Sequence, residues 1–147
     1  MDSKQQFLNK SNEAKEIFLS HLSADPVIFG FENNELKVLL VKMNYRDKWL
    51  LPGGYIRKDE DLDDAVQRII KERTGLSDVY LQEFGVFGKK ARSEDYFEDF
   101  DETLFQKQRF VSIGYLALYD PSNSNLVKDE LSQSCEWVFL RQLNDFD

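Results

Sequence analysis

The sequence predicts a mixed α/β single domain: one sheet, a strong central helix and a weaker N-terminal helix. Three observations lead there. The 147 residues make one domain's worth of chain. Hydrophobic residues are 41% of it and aromatics 14%, with twelve Phe, which supplies a real core and excludes a disordered chain. Short apolar runs of strand length are separated by turn residues and interrupted by one clear helical stripe.

The elements follow in order. Residues 3 to 22 read as a helix, because Phe7, Leu8, Ile17, Phe18 and Leu22 give partial helical spacing and Pro26 stops it. His21 then falls on the surface of that helix. Val27 to Phe31 is a short apolar strand, and Leu36 to Met43 returns as its hairpin partner. The tight turn between them, Glu32-Asn33-Asn34-Glu35, uses the tolerance of Asn for positive φ. Asn44 to Lys48 is a loop, and Trp49-Leu50-Leu51 a strand stub running into Pro52-Gly53-Gly54. A helix spans Leu62 to Thr74, with Leu62, Ala65, Val66, Ile69 and Ile70 forming one apolar stripe. Asp59 or Asp61 can cap its start, and Gly75 sits where a glycine closes a helix. Val79 to Phe87 and Arg109 to Tyr119 are two longer strands, and Cys135 to Leu140 is the last, around Trp137. Cys135 reads as a small apolar packing residue. The acidic stretch 94 to 102, with Tyr96, Phe97 and Phe100 among its acids, reads as a solvated insertion anchored by aromatics, or as a lid or partner segment. The tail from Arg141 to Asp147 reads as the start of a further element.

Composition excludes several chemistries. One histidine, His21, and one cysteine, Cys135, cannot build a zinc site or an internal disulfide. The net charge of −8 argues against the chain holding a nucleic-acid backbone unaided. No apolar run approaches a membrane span, and Met-Asp-Ser-Lys-Gln-Gln lacks a signal-peptide pattern, so the expected location is cytoplasmic. The chemistry left open is carboxylates with a hard cation such as magnesium.

The segment Gly54-x5-Glu60-x7-Arg68-Ile69-Ile70-Lys71-Glu72-Arg73-Thr74-Gly75-Leu76 carries the strongest signal. It resembles the Nudix box, Gly-x5-Glu-x7-Arg-Glu-U-x-Glu-Glu-x-Gly-U with U aliphatic. Seven of the nine specified positions match in Gly54, Glu60, Arg68, Ile70, Glu72, Gly75 and Leu76. The resemblance implies the Nudix fold, a mixed sheet sandwiched between helices, with residues 1–24 as an N-terminal helical extension and 25–147 as the Nudix domain. It further implies a carbonyl at Gly53 and helix glutamates that hold Mg2+ against a diphosphate and activate water.

Two of the three helix glutamates are replaced, by Ile69 and Arg73, leaving Glu72. One reading is that the hydrolytic centre is lost. The other is that a metal moves onto Glu72, the Gly53 carbonyl and Glu60, with Glu72 the catalytic candidate, and the chain hydrolyses the diphosphate of ADP-ribose-like substrates. Residues bordering the family's pocket supply ligand-binding candidates: Gly53, Gly54, Lys42, Arg57, Arg73 and Arg109. Arg73 can meet a phosphate directly or pair with Glu72 or Asp78, and Arg68 with Glu72, at i and i+4, reads chiefly as a structural ion pair.

Segments such as Phe84-Gly85-Val86-Phe87-Gly88 and Arg109 to Tyr115 are similar to those of the Nudix-related transcriptional regulators, the NrtR-like proteins. That resemblance implies a domain sensing a nucleoside diphosphate sugar or phosphorylated sugar, in a homodimer. DNA is then bound by a C-terminal winged helix not present in these residues. A purely structural Nudix module is a third possibility.

Overall fold

A computed structural model describes residues 2–45, 47–90 and 95–145. Glu94 of the acidic stretch and the last two tail residues, 146 and 147, lie outside the described residues.

Helix α1 (Ser3–Ile17) starts on a side-chain cap, with Gln5 N donating to Asp2 Oδ1 at 2.8 Å. It ends five residues sooner than its spacing suggests, and strand β1 (Phe18–Glu32) begins at once. Phe18 and Leu22, four apart, fit a helix on paper. Here they flank an irregular stretch in which the register shifts between Phe18 and Ser23 and His21 takes φ 73. His21 is therefore an exposed residue of a strand irregularity, not of a helix. Pro26 ends nothing: it lies inside β1, where Ala24, Pro26, Ile28 and Gly30 are buried in strict alternation.

Strand β2 (Glu35–Met43) pairs antiparallel with β1, and the connecting Asn33 and Asn34 take φ 54 and 62 as the hairpin turn requires. Strand β3 (Trp49–Leu50) pairs with β2, and β4 (Gly54–Arg57) with the first half of β1. The sequence gives no sign of β4, because Pro52-Gly53-Gly54 reads as a turn leading to the helix. Helix α2 (Leu62–Thr74) has the expected bounds. Asp61 occupies its N-cap position without a side-chain cap bond, and Gly75 closes it with φ 85. Strands β5 (Leu81–Phe87), β6 (Val111–Leu118) and β7 (Ser132–Phe139) complete a seven-stranded mixed sheet. The tail forms a 3-10 helix over Leu140–Asp145.

Strand β1 organises this sheet. Along one edge it runs parallel to β6 from Leu22 to Phe29. Its other edge pairs with β4 up to Ala24 and with β2 from Phe29 onward. The sheet splits between those pairings, and Pro26, which has no N–H to give, falls in the split, where its loss to the ladder is tolerated. Strand β7 covers the far edge of β2.

The stripe of α2 packs on one face of the sheet: Ala65, Val66, Ile69 and Ile70 bury against Ala24, Ile28, Leu39 and Tyr115. Farther along the same face of β2, Val41 and Met43 meet Phe7 of α1 with Phe97 and Phe100. The acidic segment is thus pinned by its aromatics beside α1, with Asp95, Glu98 and Asp99 exposed. On the opposite face Val38, Leu40 and Val138 pack with Trp49 and Leu140. No described helix is long and apolar enough to cross a membrane.

Gly75→Ala is expected to destabilise the chain by at least about 1 kcal/mol, read as a lower urea midpoint at unchanged slope. A Cβ there adopts left-handed backbone and meets the Asn125 carbonyl and Val127 N at 3.0 Å.

Candidate functional site

The split in the sheet opens a cavity of about 1020 Å³, the size range of small-molecule and cofactor sites. Asp25 and Ser112 lie on its floor, Trp49 and Leu51 on one side, α1 on another, and the exposed end of α2 at its mouth. Chain geometry forces the close approaches. A Cβ on Gly53 would overlap the Asp25 carboxylate, and one on Gly54 would press on Ile69 at 3.0 Å. Only glycines bring the lead-in loop this close to both β1 and α2.

Arginine–carboxylate bonds tie the helix to that loop. Arg68 donates from Nε and Nη2 to Glu60 at 2.9 and 2.6 Å, and from Nη2 to the Tyr55 carbonyl at 2.7 Å. Glu60 also accepts Arg57 N at 2.8 Å. The Arg68 hydrogen bonds hold the Glu60 carboxyl below the usual glutamate range, against the opposing effect of burial. Glu72 is exposed and flanked by Arg68 Nη1 at 3.2 Å and Arg57 Nη2 at 3.6 Å. The structural role expected for Arg68 with Glu72 is thus part of a larger lattice, in which Glu60 is the principal partner.

Arg73 turns inward. Its Nη1 donates to the Gly53 carbonyl at 2.7 Å, Nη2 approaches Met43 Sδ at 3.1 Å and Ser132 Oγ at 3.4 Å, and Nε forms an ion pair with Asp129 at 2.7 Å. The N–H on Nε is not aligned on that carboxylate as a hydrogen bond. Asp129 is the partner in place of the Glu72 or Asp78 that sequence distance suggests. Ile69 is 2% exposed and belongs wholly to the core.

These residues do not fit a divalent cation. The Gly53 carbonyl already accepts a guanidinium N–H, Ile69 offers no oxygen, and Glu60 is clamped by Arg68. Among the described residues no three Asp, Glu, His or Cys side chains come together as a metal group.

Of the sequence candidates, Gly53, Gly54, Arg57, Glu72 and Arg73 line the cavity. Glu60 sits behind it as the Arg68 partner. Lys42 pairs with Asp47 and stands 5.9 Å from the Trp49 ring, and Arg109 donates to the Gly88 carbonyl at 3.2 Å on the exposed surface; neither lines the cavity. Arg57 and Arg73 both line the cavity, and the Nε of each is buried without a hydrogen-bond partner.

Sequence reasoning missed the floor. Ser112 donates to Asp25 Oδ2, and the Ser23 and Ser112 hydroxyls lie 2.5 Å apart. A lone carboxylate before Pro26 in an apolar strand was the available signal, hidden by reading residues 18–22 as helix. Beside the floor, burial pushes the Tyr55 hydroxyl pKa up strongly. Burial also raises Cys135 to about 11, so it is a neutral packing thiol as its sequence context suggests.

Comparison with known proteins bears on the family and the fold. The NUDIX domain family model matches residues 20–147. The ADPR responsive transcriptional repressor NtrR of Acinetobacter baylyi is 27% identical over 133 residues, covering 86% of this chain and 47% of that protein. The low-salt glycan biosynthesis protein Agl8 of Haloferax volcanii is 25% identical over 97 residues, covering 66% and 53%. This chain therefore spans about half the length of the curated relatives it matches. Among solved structures, the NUDIX domain of Shewanella oneidensis NrtR complexed with ADP ribose superposes with TM-score 0.69 at 24% identity, covering 90% of this chain and 81% of that one. That likeness concerns the fold.

Glu60→Gln is expected to cost about 1–3 kcal/mol by removing a charged acceptor from three donors. Because the folded pKa of Glu60 is depressed, its contribution is present above the ordinary glutamate range and is lost as pH falls through the folded value. Urea midpoints of parent and variant should therefore converge on acidification below about pH 4.5.

Proposed function

Since the chain belongs to the NUDIX domain family, we propose that it senses a nucleoside diphosphate sugar or phosphorylated sugar in this cleft, without hydrolysing it, as part of a transcriptional regulator. The observation that carries the reading is the Arg73 guanidinium on the Gly53 carbonyl. A fixed organic cation stands on the oxygen that the family's metal uses. It neutralises charge but carries no water to activate, so the chemistry that splits a diphosphate has no source here.

Two further features support it. Arg57 lines the cavity with a partly exposed guanidinium, which suits a phosphate oxygen. Arg68 and Arg73, by contrast, are committed to protein partners. The A. baylyi relative is by name responsive to ADPR, and the S. oneidensis domain is described with ADP ribose, which makes ADP-ribose the first ligand to test. In this reading DNA is bound by a further domain of the whole protein, since a chain of net charge −8 lacks the basic surface that phosphates demand.

Titration calorimetry with ADP-ribose tests the metal independence. The dissociation constant should change less than about twofold between excess Mg2+ and excess chelator, whereas loss of about tenfold or more on chelation contradicts the reading. Incubation of ADP-ribose with Mg2+ should yield no AMP. Turnover on the order of 1–10³ s⁻¹ would establish an active hydrolase instead. Arg57→Ala should weaken ADP-ribose binding by about tenfold or more, the worth of one charge-assisted hydrogen bond, with an unchanged thermal midpoint of the free protein.

A further inference from the structure

We propose that Asp25 is the hydrogen-bond acceptor that recognises the hydroxyls of the ligand's terminal sugar, with Ser112 and Ser23 as its positioning residues. The cleft then selects a nucleoside diphosphate that ends in a sugar over one that ends in phosphate. The inference rests on reading the cleft as a nucleoside diphosphate sugar site and goes further by giving that site an orientation.

The hydroxyl chain sets the carboxylate. Ser112 is 1% exposed and Ser23 8%. They face each other across the parallel β1–β6 pair, where Ser23 registers with Ser112. Ser112 has one proton, and it goes to Asp25 Oδ2. The bond between the two serines must then be donated by Ser23. Both protons of this chain point toward Asp25, so Oδ2 is occupied by the Ser112 hydroxyl. Its other oxygen, Oδ1, lies against Gly53 in the space that a Cβ would fill, and Asp25 is among the residues that line the cavity.

The surrounding charge decides what Oδ1 can accept. Two arginines of the cleft are committed elsewhere, Arg68 to Glu60 and Glu72 and Arg73 to Asp129, and Arg57 stands 3.6 Å from Glu72. Asp25, which lines the cavity, is the partner of none of these arginines. A phosphate placed against this carboxylate would meet like charge and be repelled. A neutral group bearing O–H donors satisfies the carboxylate, and a sugar hydroxyl is the donor that a nucleoside diphosphate sugar carries at the end away from its base. Phosphates then lie toward Arg57 at the mouth and the sugar toward the floor, so that the carboxylate fixes which way round the ligand enters. A site built to take a hydroxyl rejects the analogue that lacks it, because the acceptor is left unpaired in the complex.

Calorimetry with three probes tests this: ADP-ribose, ADP, and an ADP-ribose analogue lacking the hydroxyls of the terminal ribose. The parent chain should bind the deoxygenated analogue about 10- to 100-fold more weakly than ADP-ribose. Asp25→Asn, which keeps the shape and removes the charge, should weaken ADP-ribose by a similar factor, leave ADP within about twofold, and abolish discrimination against the analogue. Ser112→Ala should reduce that discrimination in part, and Ser112→Thr should restore it. Equal binding of ADP-ribose and the analogue by the parent overturns the proposal without any variant having to fold. So does an Asp25→Asn loss as large for ADP as for ADP-ribose, which would place the base or phosphates on the floor. Absence of binding of all three probes by the parent overturns the reading of the cleft itself, and the orientation with it.

Discussion

The contact between the Arg73 guanidinium and the Gly53 carbonyl is the constraint on which the rest of the site depends. It closes the end of α2 onto the lead-in loop, and through Asp129 and Ser132 it reaches the start of β7. Three segments far apart in sequence are joined by one planar group with five donors. A metal ion can join a carbonyl to carboxylates in the same way, but only when the carboxylates are there. Ile69 is turned into the core, so this position of the helix contributes hydrophobic packing and no oxygen.

The same exchange explains the charge pattern around the cleft. Each arginine at the mouth is balanced by a carboxylate: Arg68 by Glu60 with help from Glu72, and Arg73 by Asp129. Partly buried charges survive only when paired in this manner, since desolvating either partner without the other is costly. Arg57 is the exception. Its contact with Glu72 is long, 3.6 Å, and one of its N–H groups is buried without an acceptor. Glu60 and Arg68, by contrast, tie the helix to the lead-in loop.

The sequence carried those parts of the fold that depend on local pattern. The stripe of α2, the left-handed Gly75 and the Asn33-Asn34 turn depend on residues near one another, and all three stand where periodicity and φ preference put them. Strand β1 did not emerge so clearly. Its first half owes its extended form to β4 and β6, partners contributed from 30 and more residues away, and Phe18 and Leu22 alone satisfy a helix equally well. Misreading those residues concealed Ser23 and Asp25, because a side chain's facing cannot be assigned before its strand is recognised. Lys42 and Arg109 failed as cavity residues for a related reason: the family's pocket predicts which elements border the cleft, but not that Lys42 turns to Asp47 or that Arg109 turns to the Gly88 carbonyl.

Charge counts alone point to a carboxylate–metal site in a chain with 27 acids. The structure gives those acids different work. Glu60 is a clamp for Arg68, Asp129 a counter-ion for Arg73, and Asp25 an acceptor aligned by two serines. Which role a carboxylate plays is set by its nearest donor, guanidinium for the first two and hydroxyl for the third. A guanidinium neutralises its partner and removes it from ligand chemistry. A hydroxyl orients its partner and leaves the charge in place. The distinction separates the acids that hold this site together from the one that faces its contents.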